Sequence, residues 1–219
     1  MSVHLQREIE ELKKHILSIC ALVEEQVQLA VRAFIDRDTE LARQVQDRDE
    51  EVDRREVEVE EDCLKVLALY QPVAVDLRLI IATLKINNDL ERIGDLAVNI
   101  ARKATAISAL PPGEIPFDLE SMSDKTQLML RGCLDALVNM DTEGANEVCA
   151  RDDEIDRMKH DLRLKAQEMI RANPSHVEFF LNLLAVSRNL ERIADLATNI
   201  AEGVIYMAEG RIVRHSVGM

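Results

Sequence analysis

Tryptophan is absent, and two tyrosines and four phenylalanines bring the aromatic share to only 3%. Seven glycines and five prolines are all that interrupt 219 residues. Strands favour aromatic and β-branched side chains, and tight turns need Gly and Pro, so both shortages argue against a sheet protein. Cys20, Cys63, Cys133 and Cys149 lack a Cys-x-x-Cys spacing and are expected as small buried apolar groups, as suits a reducing compartment. His4, His15, His160, His176 and His215 are scattered, without His-Glu-x-x-His or Glu-x-x-His. No P-loop, Gly-x-Gly-x-x-Gly or serine nucleophile elbow occurs, so no familiar catalytic apparatus is present. No run of 18 apolar residues and no apolar stretch after Met1 is found, so neither a membrane span nor a signal peptide is expected.

What is there is aliphatic and acidic. Hydrophobic residues make up 47%, enough for a core of Leu, Ile, Val, Ala and Met. Net charge is -14, which repels phosphate backbones and excludes nucleic acid as a natural partner. Cations, or basic patches on other proteins, suit such a surface.

The longest signal is a repeat. Leu90-Glu91-Arg92-Ile93-Gly94-Asp95-Leu96-Ala97-Val98-Asn99-Ile100-Ala101 returns 100 residues later from Leu190 to Ala201, with ten of twelve positions identical. Only Gly94 against Ala194 and Val98 against Thr198 differ. A second pair, Arg48 to Arg54 and Arg151 to Arg157, stands at an offset of 103. One unit is therefore written twice, and the second copy has lost three residues between its motifs.

Hydrophobic periodicity places six long helices. Leu5, Ile9, Leu12, Ile16, Ile19, Val23, Val27 and Ala30 share one helix face between Val3 and Ile35. Asp38 is a good N-cap for a second helix reaching Tyr70. Gln71-Pro72 ends it, and a third is expected from Pro72 to Ile107. Phe117 to Met140 forms the fourth, and the fifth runs unbroken from Asp141 to the Asn173-Pro174 turn. Pro174 opens the sixth, which ends near Ala208 with Gly210 as C-cap. The expected fold is all-α: two tandem three-helix bundles related by an internal pseudo-two-fold. Their bounds are 1–109 and 117–208, with a Pro-rich linker at 110–116 and a tail at 209–219.

Each unit's two motifs lie at similar distances from the hairpin between them, so antiparallel helices bring them level. Asp49 and Asp53 are spaced i, i+4, as are Glu91 and Asp95, Asp152 and Asp156, and Glu191 and Asp195. Like charges one helical turn apart are unfavourable without a cation. Asp49 also interrupts the apolar seam Val45, Val52, Val59, Cys63, and Asp152 does the same in the second unit, so each needs a partner. Two partners are open. Arg48, Arg54, Arg92 and their copies Arg151, Arg157, Arg192 provide salt bridges. Alternatively, hard oxygen donors without histidine suit divalent or ferric ions, with Asn99 and Asn199 adding amide oxygens. The acidic run Glu58 to Asp62 reads as a solvated face, or as a docking surface for a basic partner.

These motifs resemble the PhoU family. The resemblance covers the whole chain and rests on the paired carboxylates, on Gln71-Pro72-Val73-Ala74-Val75-Asp76-Leu77-Arg78, on Asn88 to Asp95, and on Glu209 to His215. The Gln-Pro segment has no close copy in the second unit, where Asn173-Pro174-Ser175-His176 stands. The resemblance implies two three-helix bundles whose carboxylate motifs hold metal ions on the bundle surface, multinuclear iron among them. It implies no enzyme. Its implied role is negative regulation of phosphate uptake and of the phosphate-starvation response. The implied partners are the ATPase subunit of the phosphate ABC transporter and the phosphate sensor histidine kinase. A cytoplasmic homodimer, peripheral to the inner membrane through those partners, goes with this. A metal-free structural scaffold and a di-iron-type carboxylate enzyme are the alternatives; the second lacks its Glu-x-x-His motifs.

Overall fold

A computed structural model describes residues 3–111 and 117–211. Linker positions 112–116, and the tail from 212 onward with Arg214 and His215, lie outside the described residues. The described residues are helical with short connections: α1 (Val3–Asp36), α2 (Thr39–Tyr70), α3 (Ala74–Ser108), α4 (Phe117–Asn139), α5 (Thr142–Cys149), α6 (Asp152–Ala172) and α7 (Val177–Glu209). α1, α2 and α3 pack on one another, as do α4, α5, α6 and α7. None of these helices is long and apolar enough to cross a membrane.

The turns into α2 and α5 are built alike. Arg37 and Met140 adopt positive φ, 54° and 53°. The next residue, Asp38 or Asp141, donates its N–H to the carbonyl of Ala33 or Ala136, each at 2.9 Å. Its carboxylate then caps the new helix, accepting from Glu40 and Leu41 N–H in one unit and Glu143 N–H in the other. Gly210 closes α7 at φ 70°, a left-handed position that glycine takes without steric cost.

Three helix limits differ from the sequence reading. The single helix expected from Asp141 is interrupted at Ala150 and Arg151, giving α5 and α6. Both residues stay right-handed, and Arg151 N–H reaches back three residues to the Val148 carbonyl, a 3₁₀-type step that tightens the turn. Pro72 is buried but lies outside α3, which starts at Ala74 after Gln71 turns left-handed. Pro174 opens a 3₁₀ turn, Pro174–His176, and α7 follows it. As a result α7 starts three residues nearer its glutamate than α3 does, Val177 to Glu191 against Ala74 to Glu91. Counted to the turn prolines, Asp53 to Pro72 spans 19 residues against 18 from Asp156 to Pro174, and Pro72 to Glu91 spans 19 against 17 from Pro174 to Glu191, so both arms have shortened.

α3 and α7 form the central pair. From Asp89 to Ala101 most of α3 is buried, and α7 repeats the pattern. Ala97, Ala101, Ala197 and Ala201 are fully buried, and such small side chains allow close approach of the two helices. A Cβ on Gly203 would stand 3.3 Å from Ile86, and one on Gly210 3.2 Å from the Arg78 guanidinium. Those contacts make the pair antiparallel, with Asp95 and Asp195 at the midpoint on the pseudo-two-fold. Cys20, Cys63 and Cys133 are buried and Cys149 half-buried, all as free thiols. Burial pushes the Cys20 and Cys63 thiols up to about 12.

Candidate functional site

The i, i+4 carboxylates of α2 meet those of α3. Asp49 is half-buried, and its carboxyl is pushed up to about 6 by burial, then by Asp53 and Asp95, with Arg102 opposing. Glu91 is raised by burial and by Asp95, Asp53, Glu56 and Asp49. Glu56 is raised by burial and by Glu60 and Asp53. These mutual effects place five carboxylates in one cluster. Among the described residues none of Asp49, Asp53, Glu56, Glu91 and Asp95 takes part in an ion pair.

The second site repeats the plan with a substitution. Asp152 is raised by burial and Asp156, and Thr198 Oγ1 donates to its Oδ1 at 3.3 Å. Asp195 goes up to about 6 through burial, then Glu191, Asp152 and Asp156, although solvent also reaches the side chain. Lys159 stands where the first site has Glu56. Its ammonium bonds to Glu191 and, at 3.3 Å, to Asp156.

Both differences between the repeats now have neighbours that account for them. Thr198 bonds Asp152, whereas Val98 is buried. A Cβ on Gly94 would meet Gln26 Oε1 at 3.2 Å, Val52 at 3.3 Å and Asp49 Oδ1 at 3.7 Å. Gln26 is 2% exposed, and neither its oxygen nor its nitrogen has a partner. The offset of 103 pairs Gln26 with Met129, so the second unit fills this place with Met129 and Ala194, both buried.

The arginines expected as counterions point elsewhere. Arg48 pairs with Glu25, Arg54 with Glu51 and Arg92 with Asp89. Arg157 donates to the Asp153 carbonyl. Arg151 and Arg192 form no ion pair among the described residues. Asn99 and Asn199 stand one turn beyond Asp95 and Asp195 within α3 and α7. They line one groove of about 270 Å³ with Asp95, Asp195, Arg92 and Arg192, across the α3–α7 seam. The two sites therefore open onto a shared wall. Arg102 donates to Asn99 Oδ1 at 3.3 Å. Among the described residues, no three His, Cys, Asp or Glu side chains as placed converge closely enough to hold one ion.

Glu56, Lys159, Thr198 and Gln26 were not singled out by the motif spacing. Glu56 and Lys159 do lie on the same seam as Asp49 and Asp152, one turn beyond Val52 and Ile155. A charge on an apolar seam was the available signal.

These features define a duplicated all-helical protein with a carboxylate cluster at matched positions in each half. The sequence pattern of the PhoU domain matches it twice, at residues 16–104 and 119–204. The chain belongs to the PhoU family. It is 39% identical over 218 residues to the "Phosphate-specific transport system accessory protein PhoU homolog" of Pseudomonas putida, covering 98% of this chain and 84% of that protein. The homologue of the same name from Aquifex aeolicus is 36% identical, with 96% of each chain covered. The crystal structure of PhoU from Pseudomonas aeruginosa superposes with a TM-score of 0.92 at 36% identity, over 94% of this chain and 99% of that one. The phosphate transport system regulatory protein PhoU from Streptococcus pneumoniae gives 0.88 at 27%, over 95% and 99%.

Proposed function

We propose that this chain is a negative regulator of phosphate uptake and of the phosphate-starvation response. It acts as an adaptor between the ATPase subunit of the phosphate ABC transporter and the phosphate sensor histidine kinase. The observation that carries this is the match of both halves to relatives named as accessory proteins of the phosphate-specific transport system. The reading assigns regulation and no catalysis. It places a homodimer in the cytoplasm, held near the inner membrane by its partners, with units at 1–109 and 117–208. A deletion strain is expected to take up phosphate without restraint, and the purified chain to retain both partners in a pull-down. Restrained uptake in the deletion, or retention of neither partner, sinks the reading.

Within this function the carboxylate clusters are metal sites. Asp49, Asp53, Glu91 and Asp95 with Asn99, and Asp152, Asp156, Glu191 and Asp195 with Asn199, supply hard oxygen donors for divalent or ferric ions, multinuclear iron included. Support comes from five mutually repelling carboxylates without an ion pair and from the unpartnered Gln26 carboxamide beside Asp49. A cation there offsets the repulsion and ties α2 to α3, and α6 to α7. The arginine-paired scaffold is disfavoured because Arg48, Arg54 and Arg92 bond other groups. Metal content of protein purified without chelator tests the sites. Asp49→Ala with Asp53→Ala is expected to lower it, and an unchanged content removes the metal reading while leaving the adaptor reading standing.

A further inference from the structure

A groove of about 580 Å³ runs between α6 and α7 in the second unit. Lys159 and Arg163 border it from α6, Arg188 and Arg192 from α7. Each pair is spaced i, i+4, so like charges stand one turn apart on one face, which is unfavourable without an anion between them. Glu191 and Asp195 also line the groove, but Lys159 already answers Glu191. Arg163, Arg188 and Arg192 are exposed and form no ion pair among the described residues. Several arginines elsewhere are paired, Arg32 with Asp36, Arg43 with Glu40 and Asp47, Arg48 with Glu25, and Arg131 with Glu24, while single ones such as Arg151 are not among the described residues. Three unpaired guanidinium groups on one groove stand apart in a chain of net charge -14.

The first unit serves as an internal comparison. At the offsets of 103 and 100, Lys159, Arg163 and Arg188 correspond to Glu56, Glu60 and Asn88, and Arg192 to Arg92. Four cations thus stand where the other copy has two carboxylates, an amide and one cation. Duplication accounts for the shared scaffold but not for the reversed charge.

We propose that this groove binds a small polyanion carrying phosphoryl groups, held by Arg163, Arg188 and Arg192. Each guanidinium presents a planar fork that matches two phosphoryl oxygens. Three forks spread over two helices call for more than one anionic centre, and the groove has room for a chain of two or three phosphoryl groups. The negative field of the rest of the molecule repels polyanions, so any binding is local to the groove. The proposal needs no metal ion and does not rest on the carboxylate clusters.

Titration calorimetry of the full chain, with chelator at near-physiological salt, tests it with three probes: orthophosphate, pyrophosphate and tripolyphosphate. The longer anions are expected to bind once per chain. Arg163→Gln with Arg188→Gln is expected to weaken them roughly a hundredfold, about tenfold per guanidinium. Both side chains are exposed, and thermal melting checks that the variant folds. Arg43→Gln, on α2, is expected to bind as the unaltered chain does. Preference for the longer anions supports the site, and binding of orthophosphate alone overturns the polyanion assignment. Absence of binding by all three probes overturns it, as does equal binding by the double variant. Capture of a polyglutamate peptide in place of every probe also overturns it and assigns the groove to an acidic protein segment.

Discussion

Asp49 holds its proton more tightly in the folded chain than in the unfolded one, since its carboxyl is raised from 3.8 to about 6. Burial and two neighbouring aspartates cause this, so the direction of the pH effect follows. Between those values the native state binds the extra proton, and stability contributed here falls as pH rises. In chelator, Asp49→Asn is expected to flatten the fall and to gain stability at neutral pH. Urea midpoints from about pH 4 to pH 7 measure it, and an unchanged slope refutes the assignment. Gln26 presents the opposite case, a neutral group buried without partners. Gln26→Met, the residue found in the second unit, is expected to stabilise the metal-free chain by about 1–2 kcal/mol. A loss of stability in the same titration would contradict this. Asp49 was legible because its charge broke an apolar seam at a spacing repeated in the second unit. Gln26 was not legible. One amide within an apolar helix face is ordinary until alignment sets Met129 opposite it and Gly94 is found beneath it.

α2 and the α5–α6 pair descend from one pattern but are built differently. α2 is continuous over 32 residues, whereas its counterpart is broken at Ala150 and Arg151. Ala and Arg are good helix formers, so propensity gave no warning. The acidic first turn of α6, Asp152-Asp153-Glu154, suits a new helix start. The same kind of residues, Asp49-Glu50-Glu51, lie inside α2. Nothing local separates the two cases. Amide exchange is expected to be faster at 150–154 than at 47–51, because the break ends the continuous ladder. Equal protection would mean that the break closes in solution. On the proposed metal reading, the exchange of Glu56 for Lys159 on these helices bears on ion binding. Lys159 already pairs with two site carboxylates and offsets one of their charges. Lys159→Glu is therefore expected to raise the number of manganese ions bound, and Glu56→Lys to lower it, by equilibrium dialysis. Unaltered stoichiometry in both rules out a role for this position.

The whole molecule hangs on the α3–α7 seam, which the repeat alone did not reveal. The repeat marked both helices as equivalent, but how the two copies met was not encoded in any local pattern. Gly203 lies against Ile86 in that seam. Gly203→Val is expected to destabilise the chain by about 1–3 kcal/mol through overpacking. Because the seam joins both halves, signals from each half should lose stability together in one denaturation curve; separate transitions would show that the halves unfold independently. The same seam sets Asp95 and Asp195 on one groove wall. On the proposed metal reading, an ion held on one side acts on its twin through a short stretch of shared field, so occupancy of either half is a quantity known to the other. Such linkage is reciprocal: whatever the first ion does to the affinity of the second, the second does to the first. On that same proposed reading, two clusters at a common wall form a single graded reader of cation supply, with two binding steps where isolated copies would give one.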